Sequence, residues 1–196
     1  MLHPFPSMML GMVASQGLLW NPADKDPNVV VSNGGRTFTA EALGSVRNTT
    51  SRSTGRWYYE VVVDVFVPIS GLISFGIGTS AANLEALPGA ADAFAWGYRG
   101  NGVVDNAGSG VASYASFVAG DIISVAFDLT SATKKLWFAK NGTWQSGNPG
   151  ALTGGITIST GAYFAMAGGS GAEPNDPQAT ARPSLVFPMP SGFQAL

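Results

Sequence analysis

The sequence predicts an all-β chain folded as an antiparallel sandwich of two packed sheets, and three observations carry that expectation. Twenty-six glycines and twelve prolines among 196 residues punctuate short runs of Val, Ile, Phe, Trp and Tyr, which is how a chain of short strands and tight turns reads. The longer runs alternate in polarity at the two-residue period of a strand, and none carries a convincing helical period. Three Asn-Gly pairs, Asn33-Gly34, Asn101-Gly102 and Asn141-Gly142, supply the positive φ angles that close hairpins demand, so each is expected to mark a reversal.

Taken in order, the predicted strands are Val29 to Ser32, Arg36 to Ala40, Arg56 to Val67, Leu72 to Gly78, Phe94 to Tyr98, Ile122 to Leu129, Lys135 to Ala139, Tyr163 to Ala167 and Ser184 to Phe187. In the third, alternation sets Trp57, Tyr59, Val61, Val63 and Val65 on a core face against Tyr58, Glu60, Val62 and Asp64. In the Ile122 run it sets Ile123, Val125, Phe127 and Leu129 inward, so both strands are expected to be half-buried. Asp121 is expected to hold backbone amides in the turn that opens this run. Gly168 to Pro177 is so rich in Gly and Pro that it reads as a long exposed loop.

Composition narrows the functions open to the chain. Its length suits one large β-domain, and 45% apolar with only 11% charged residues argues against disorder. The net charge is −2, and no basic run exceeds Lys134-Lys135, so the counterion-release term behind nucleic-acid binding is missing. No membrane insertion is expected, because no stretch approaches the roughly 20 apolar residues of a spanning helix. The absence of cysteine removes disulfides, thiolate nucleophiles and cysteine-type zinc sites.

Catalytic readings find little support. Gly76-Ile77-Gly78-Thr79-Ser80-Ala81 is a short form of the dinucleotide fingerprint, but no helix follows to receive a pyrophosphate. His3, the single histidine, lies in a terminal segment, a poor position for a general base. Glu60, Glu85, Asp92 and Asp105 could form a carboxylate pair, yet any sandwich carries some acids. No catalytic residue, cofactor or metal is therefore assigned.

The wording of the strands is more specific than their pattern. Gly55-Arg56-Trp57-Tyr58-Tyr59-Glu60-Val61, Gly120-Asp121-Ile122-Ile123-Ser124-Val125-Ala126-Phe127-Asp128 and Phe138-Ala139-Lys140-Asn141-Gly142 resemble, in order and spacing, the signature strands and hairpin of the SPRY domain. Trp20-Asn21-Pro22, Val31-Ser32-Asn33-Gly34 and the closing Gly192-Phe193-Gln194-Ala195-Leu196 are similar to SPRY-like domains in structural and tail proteins of bacterial viruses. Arg56 stands where Lys is usual, Asn21 where Asp is common and Ser124 where Gly is common, and residues 168 to 182 follow no pattern. The resemblance spans residues 19 to 196 and implies a SPRY-like, jelly-roll-like sandwich that binds partners without transforming them. Residues 1 to 18 fall outside it. They hold four of the six methionines and are expected to be an N-terminal arm that docks on another virion subunit or on a second copy of the chain, the alternative being that it folds back over its own sandwich to cover a sheet edge.

The same resemblance implies a virion component made in the host cytoplasm: a decoration, head, tail-fibre or receptor-binding protein. Its partners would be other virion proteins, a host surface receptor of protein or glycan, and further copies of itself, for instance as a trimer. Recognition is expected on loops near residues 47 to 54, 82 to 92 and 98 to 110. Arg99 and Trp144 are the leading candidates, because Arg and Trp are enriched at binding hot spots. Trp96, Tyr98, Asn83 and Asp105 complete the candidate surface, although Trp96 and Tyr98 alternate with Phe94 at strand spacing and so compete for the core. A cellular SPRY adaptor for a short peptide and a carbohydrate-binding module stacking sugars on Trp144 and Trp96 are the alternatives.

Overall fold

A computed structural model describes residues 17–68, 72–171 and 174–196. The strands are β1 (Trp20–Lys25), β2 (Val29–Ser32), β3 (Thr37–Ala40), β4 (Gly44–Asn48), β5 (Arg56–Val65), β6 (Leu72–Gly78), β7 (Ala95–Arg99), β8 (Val103–Asn106) and β9 (Ser109–Ser113). They continue as β10 (Ile122–Asp128), β11 (Lys135–Lys140), β12 (Thr143–Trp144), β13 (Gly147–Asn148), β14 (Thr153–Gly154), β15 (Ile156–Thr157), β16 (Phe164–Ser170), β17 (Gln178–Ala181) and β18 (Gln194–Ala195). Among the described residues one sheet runs β1-β4-β16-β6-β7-β8-β9 and a second runs β12-β11-β10-β5-β17-β3-β2, with β15 on β11 and β18 on β5. The fold is the expected two-sheet antiparallel sandwich.

Inward-facing residues of both sheets form the core, as alternation requires. A chain of aromatic contacts ties the layers together. Trp20 meets Phe38 at 5.8 Å between ring centroids, Phe38 meets Phe75 at 6.2 Å, and Phe75 meets Phe117 at 5.8 Å. Tyr98 continues it, 5.1 Å from Phe117 and 5.4 Å from Phe138. Three of these five contacts cross directly between the sheets and the other two run through Phe117, outside the strands, all with the edge-on or tilted geometry that aromatic quadrupoles favour. Leu18, assigned from sequence to the arm, is buried in this core; the rest of the arm apart from Gly17 lies outside the described residues.

The expectation that β5 and β10 are half-buried is corrected. Tyr58 and Glu60, on the outward face of β5, are buried, as are Ser124, Ala126 and Asp128 on β10. The cover is a second apolar cluster in which Tyr58, Ala126, Trp137 and Phe193 pack with Trp144 and Leu152. Phe193 meets Trp137 edge-on at 6.2 Å, and β18 adds in parallel to β5 with Gln194 opposite Trp57. Trp57, expected in the core, is only half-buried: its ring packs against the core cluster on one side and carries the Arg52 guanidinium 4.1 Å from its centroid.

Three strand assignments also change. Ser184 to Phe187 is not a strand; its amides turn to a side chain, with Val186 N donating at 2.7 Å and Phe187 N at 3.1 Å to the buried Glu60 carboxylate. The strand that closes the second sheet is instead β17, wedged between β5 and β3. The long loop expected from Gly168 starts later, because Gly168 and Gly169 are buried within β16. A Cβ on Gly169 would lie 2.8 Å from that of Ala40, so the bare backbone is what lets the sheets approach there.

Candidate binding surface

The outward side of the first sheet is covered by the loop between β6 and β7, residues 79–94. Two β4 side chains hold it. Arg47 Nη2 donates to the carbonyls of Ser80 at 3.1 Å and Ala82 at 2.5 Å, while its Nη1 pairs with Asp24 at 2.7 Å. Ser45 Oγ donates to Ala86 O at 2.5 Å, and Ser45 N donates to Leu84 O at 2.8 Å. Asp92 closes the loop on itself by accepting from Asn83 N and Phe94 N, each at 2.7 Å. Below it, Ala82, Ala95 and Met166 form a small apolar cluster against which Leu84 packs.

The β8–β9 hairpin joins this platform. Ala107 and Gly108 both adopt positive φ, at 53° and 72°, with Asn106 paired to Ser109, which is the geometry of a tight two-residue hairpin. Its backbone is fixed to the loop by Ala107 N to Asp92 O at 2.9 Å and Gly108 N to Gly89 O at 3.0 Å. The combined surface is a constrained loop rather than a lax one, and it exposes Asn83, Glu85, Ala91, Ala93 and Phe94. Phe94 is 51% exposed, the most exposed aromatic side chain among the described residues. It escapes the core because β7 begins at Ala95, one residue later than alternation alone suggested. A large apolar ring on a rigid loop is the chemistry of a contact anchor: it loses few conformations on binding and has much apolar area to bury.

The six residues proposed from sequence do not form one surface, and of them Arg99 and Asp105 meet as an ion pair. Asn83 alone sits on the platform, exposed, where its Oδ1 accepts from Glu85 N at 2.8 Å. Trp96 and Tyr98 are removed from any partner surface by their positions in the core: Trp96 stands edge-on to Tyr163, and Tyr98 OH donates to Ala115 O. Burial pushes the Tyr98 hydroxyl far above its ordinary range, with Asp121 and Tyr114 adding to the shift. Asp105 is also buried, gripped by Arg99 in a fork of 2.5 Å from Nε and 2.8 Å from Nη2. Arg99 ends β7 at the far end from Phe94, about 16 Å away at strand rise. Trp144 lies half-buried over Tyr58 on the other sheet, with centroids 6.2 Å apart.

The 82–92 segment is legible in the sequence, but the exposure of Phe94 just beyond it is not. The signal was Asp92-Ala93-Phe94: an Asp two residues ahead caps the Phe94 amide and delays the strand. Among the described residues no three His, Asp or Glu side chains gather into a metal-binding group, and no helix is long and apolar enough to cross a membrane.

Comparison with known proteins agrees with this architecture. The family model of the SPRY domain matches residues 56–155. The crystal structure of the SPRY domain of human HERC1 superposes with a TM-score of 0.66 at 15% identity, covering 83% of this chain and 96% of that one. A human SPRY domain superposes with a TM-score of 0.57 at 15% identity, covering 82% and 98%, and the TRIM65 PSpry domain with 0.58 at 12%, covering 85% and 92%. No curated protein sequence matches the chain. Half of the sequence, including its two longest signature strands, thus fits one family model, and the sandwich fits solved members: the chain belongs to the SPRY family of protein-interaction domains, a membership that supports a binding role.

Proposed function

We propose that this SPRY domain is a component of a bacterial virus particle and that it binds through the 79–94 platform, with Phe94 as anchor and Asn83 and Glu85 as polar rim. The partner is another virion protein or a protein receptor on the host surface. The observation that carries the binding reading is Phe94, half-exposed on a loop whose backbone is fixed by Arg47, Ser45 and Asp92. The virion reading draws on the opening Trp20-Asn21-Pro22 and closing Gly192-Phe193-Gln194-Ala195-Leu196 wording. Both segments are integral to the sandwich, since Trp20 is fully buried and Phe193 and Leu196 nearly so.

The test is mass spectrometry of virus particles purified from the source host, read beside the neighbouring reading frames. A fixed copy number per particle, with capsid or tail genes alongside, is the expected result. Absence from the particles would overturn the virion reading and favour a cellular SPRY adaptor for a short peptide, which would use the same platform. The carbohydrate alternative loses one of its two stacking residues to the core, Trp96, and half of the other, Trp144, to Tyr58.

A further inference from the structure

A second surface lies where the two sheets leave an open cleft between β1 and β2. These strands are the edges of their sheets on the same side of the sandwich. The cleft measures about 320 Å³ and is lined by Leu19, Trp20, Pro22, Val31, Ser32 and Thr49 with two glycines. That volume is in the range of ligand sites, about 300–1,000 Å³, and the lining carries no charged side chain.

Two polar features face unfilled requirements there. Among the described residues strand β2 pairs with β3 on one side only, with Val30 opposite Thr39 and Ser32 opposite Thr37. The flanking bond from Glu41 N to Asn28 O sets the ladder's alternation, so Val31 turns its N–H and C=O to the open edge. No Lys, Arg, Asp or Glu stands in β2 to discourage another strand from pairing. In addition, Trp20 is fully buried, lines the cleft and has no acceptor for its Nε1–H among the described residues, an unfavourable state for a buried donor.

The chain supplies a matching occupant. Residues 1–16 contain no Asp, Glu, Lys or Arg, and Met8-Met9-Leu10-Gly11-Met12-Val13 is apolar throughout. They join the fold at Gly17, two residues before Leu19 on the cleft wall. Gly17 has φ +67°, a left-handed conformation that redirects the chain, and a Cβ there would lie 3.3 Å from Arg182 O and 3.8 Å from Arg36 Nη1, the neighbour of Gly35, where a Cβ would lie 3.3 Å from the Trp20 carbonyl oxygen and 3.5 Å from Leu19 Cβ. The four-residue step from Gly17 back to Val13 spans about 13 Å at full extension, enough to double back over the cleft mouth. We propose that the cleft is the seat of the chain's own residues 8–13, which lie along β2, fill it with Met, Leu and Val side chains, and complete the edge. Uncharged cleft and uncharged segment fit each other, and flexible methionines suit an irregular groove.

The absence of cysteine from the sequence makes a direct test available in the full chain. Ser32→Cys, on the exposed side of β2, is combined one at a time with Met8→Cys, Met9→Cys, Leu10→Cys, Met12→Cys and Val13→Cys. Each pair is oxidised at low protein concentration and read by non-reducing electrophoresis and peptide mapping. A disulfide requires Cα atoms about 4.4–6.8 Å apart, so seating predicts an intramolecular bond in monomers at one or more positions. A parallel series replaces Ser32→Cys with Ser113→Cys on β9, the opposite edge of the first sheet, and is expected to remain reduced. Disulfide-linked dimers would assign the cleft to a second copy. No bond at any position, or equal bonding from Ser113→Cys, would leave the cleft to an outside peptide. Each of these outcomes overturns the proposal.

Discussion

Asp128 and Asp121 show what single acidic residues do in this sandwich. Asp128 is 1% exposed, and its carboxylate accepts from Thr130 N at 2.7 Å, Ser131 Oγ at 2.5 Å and Arg56 Nε at 3.3 Å. Burial works to raise this carboxyl, but the Ser131 and Thr130 bonds and the Arg56 charge outweigh it and hold it below the usual range. Asp121 follows the same logic: burial opposes ionisation, and Val118 N, Asn141 and Lys140 more than compensate. Groups depressed in the fold contribute stability that is complete above the unfolded value, near pH 4, and lost as pH falls through their folded values. Thermal stability is therefore expected to fall below about pH 4, and Asp128→Asn to flatten that acid limb; an unchanged limb would show that these carboxylates do not govern it. The Asp121 turn role and the left-handed Asn141 were legible in the sequence, because Asp and Asn advertise local hydrogen bonding. The exposure of Phe94 was not, since one residue of strand offset separates core from surface. Phe94→Ala is expected to leave the melting temperature within the small shift of an exposed site, about 0.5 kcal/mol, while weakening partner binding roughly 30-fold, the 2 kcal/mol of a hot spot.

The elements that matter most are those that cover the outer faces. Asn141 and Gly142, at φ 48° and 76°, close the β11–β12 hairpin with Lys140 opposite Thr143. A Cβ on Gly142 would lie 2.6 Å from the Phe187 ring, so Gly142→Ala combines backbone strain with displacement of the strap that Glu60 anchors. It is expected to cost more than 1 kcal/mol in chemical denaturation, and a neutral result would mean the strap is not docked there. Phe193→Ala, which opens the second apolar cluster, is expected to cost about 3–5 kcal/mol as a buried aromatic truncation. A loss below 1 kcal/mol would show the tail to be a passive cover. Strands β5 and β10 were readable because their alternation is regular. The burial of both their faces was not, because the covering residues Trp144, Leu152 and Phe193 lie far along the chain. Strand β17 was hidden for a related reason: Gln178-Ala179-Thr180-Ala181 has weak strand propensity and is held by its neighbours on both sides.

At the scale of the molecule, the family was the most legible feature, because Gly55-Arg56-Trp57-Tyr58-Tyr59-Glu60 and Phe138-Ala139-Lys140-Asn141-Gly142 encode tertiary roles. Tyr59 reaches across the sandwich to donate to Gly76 O at 2.6 Å, Tyr58 donates to Glu60 at 2.5 Å, and Glu60 in turn holds the tail. Motif wording of this kind locates the scaffold, whereas the binding surface is built from loop residues whose pattern answers to a partner. On the proposed function, this scaffold presents the 79–94 loop for contact. Its most direct test is a photo-crosslinking amino acid placed at position 94, and separately at position 144, in the protein expressed in its natural producing cells. Binding through the platform predicts a discrete crosslinked partner from position 94 and little from position 144; a partner captured at position 144 but not at 94 would contradict it.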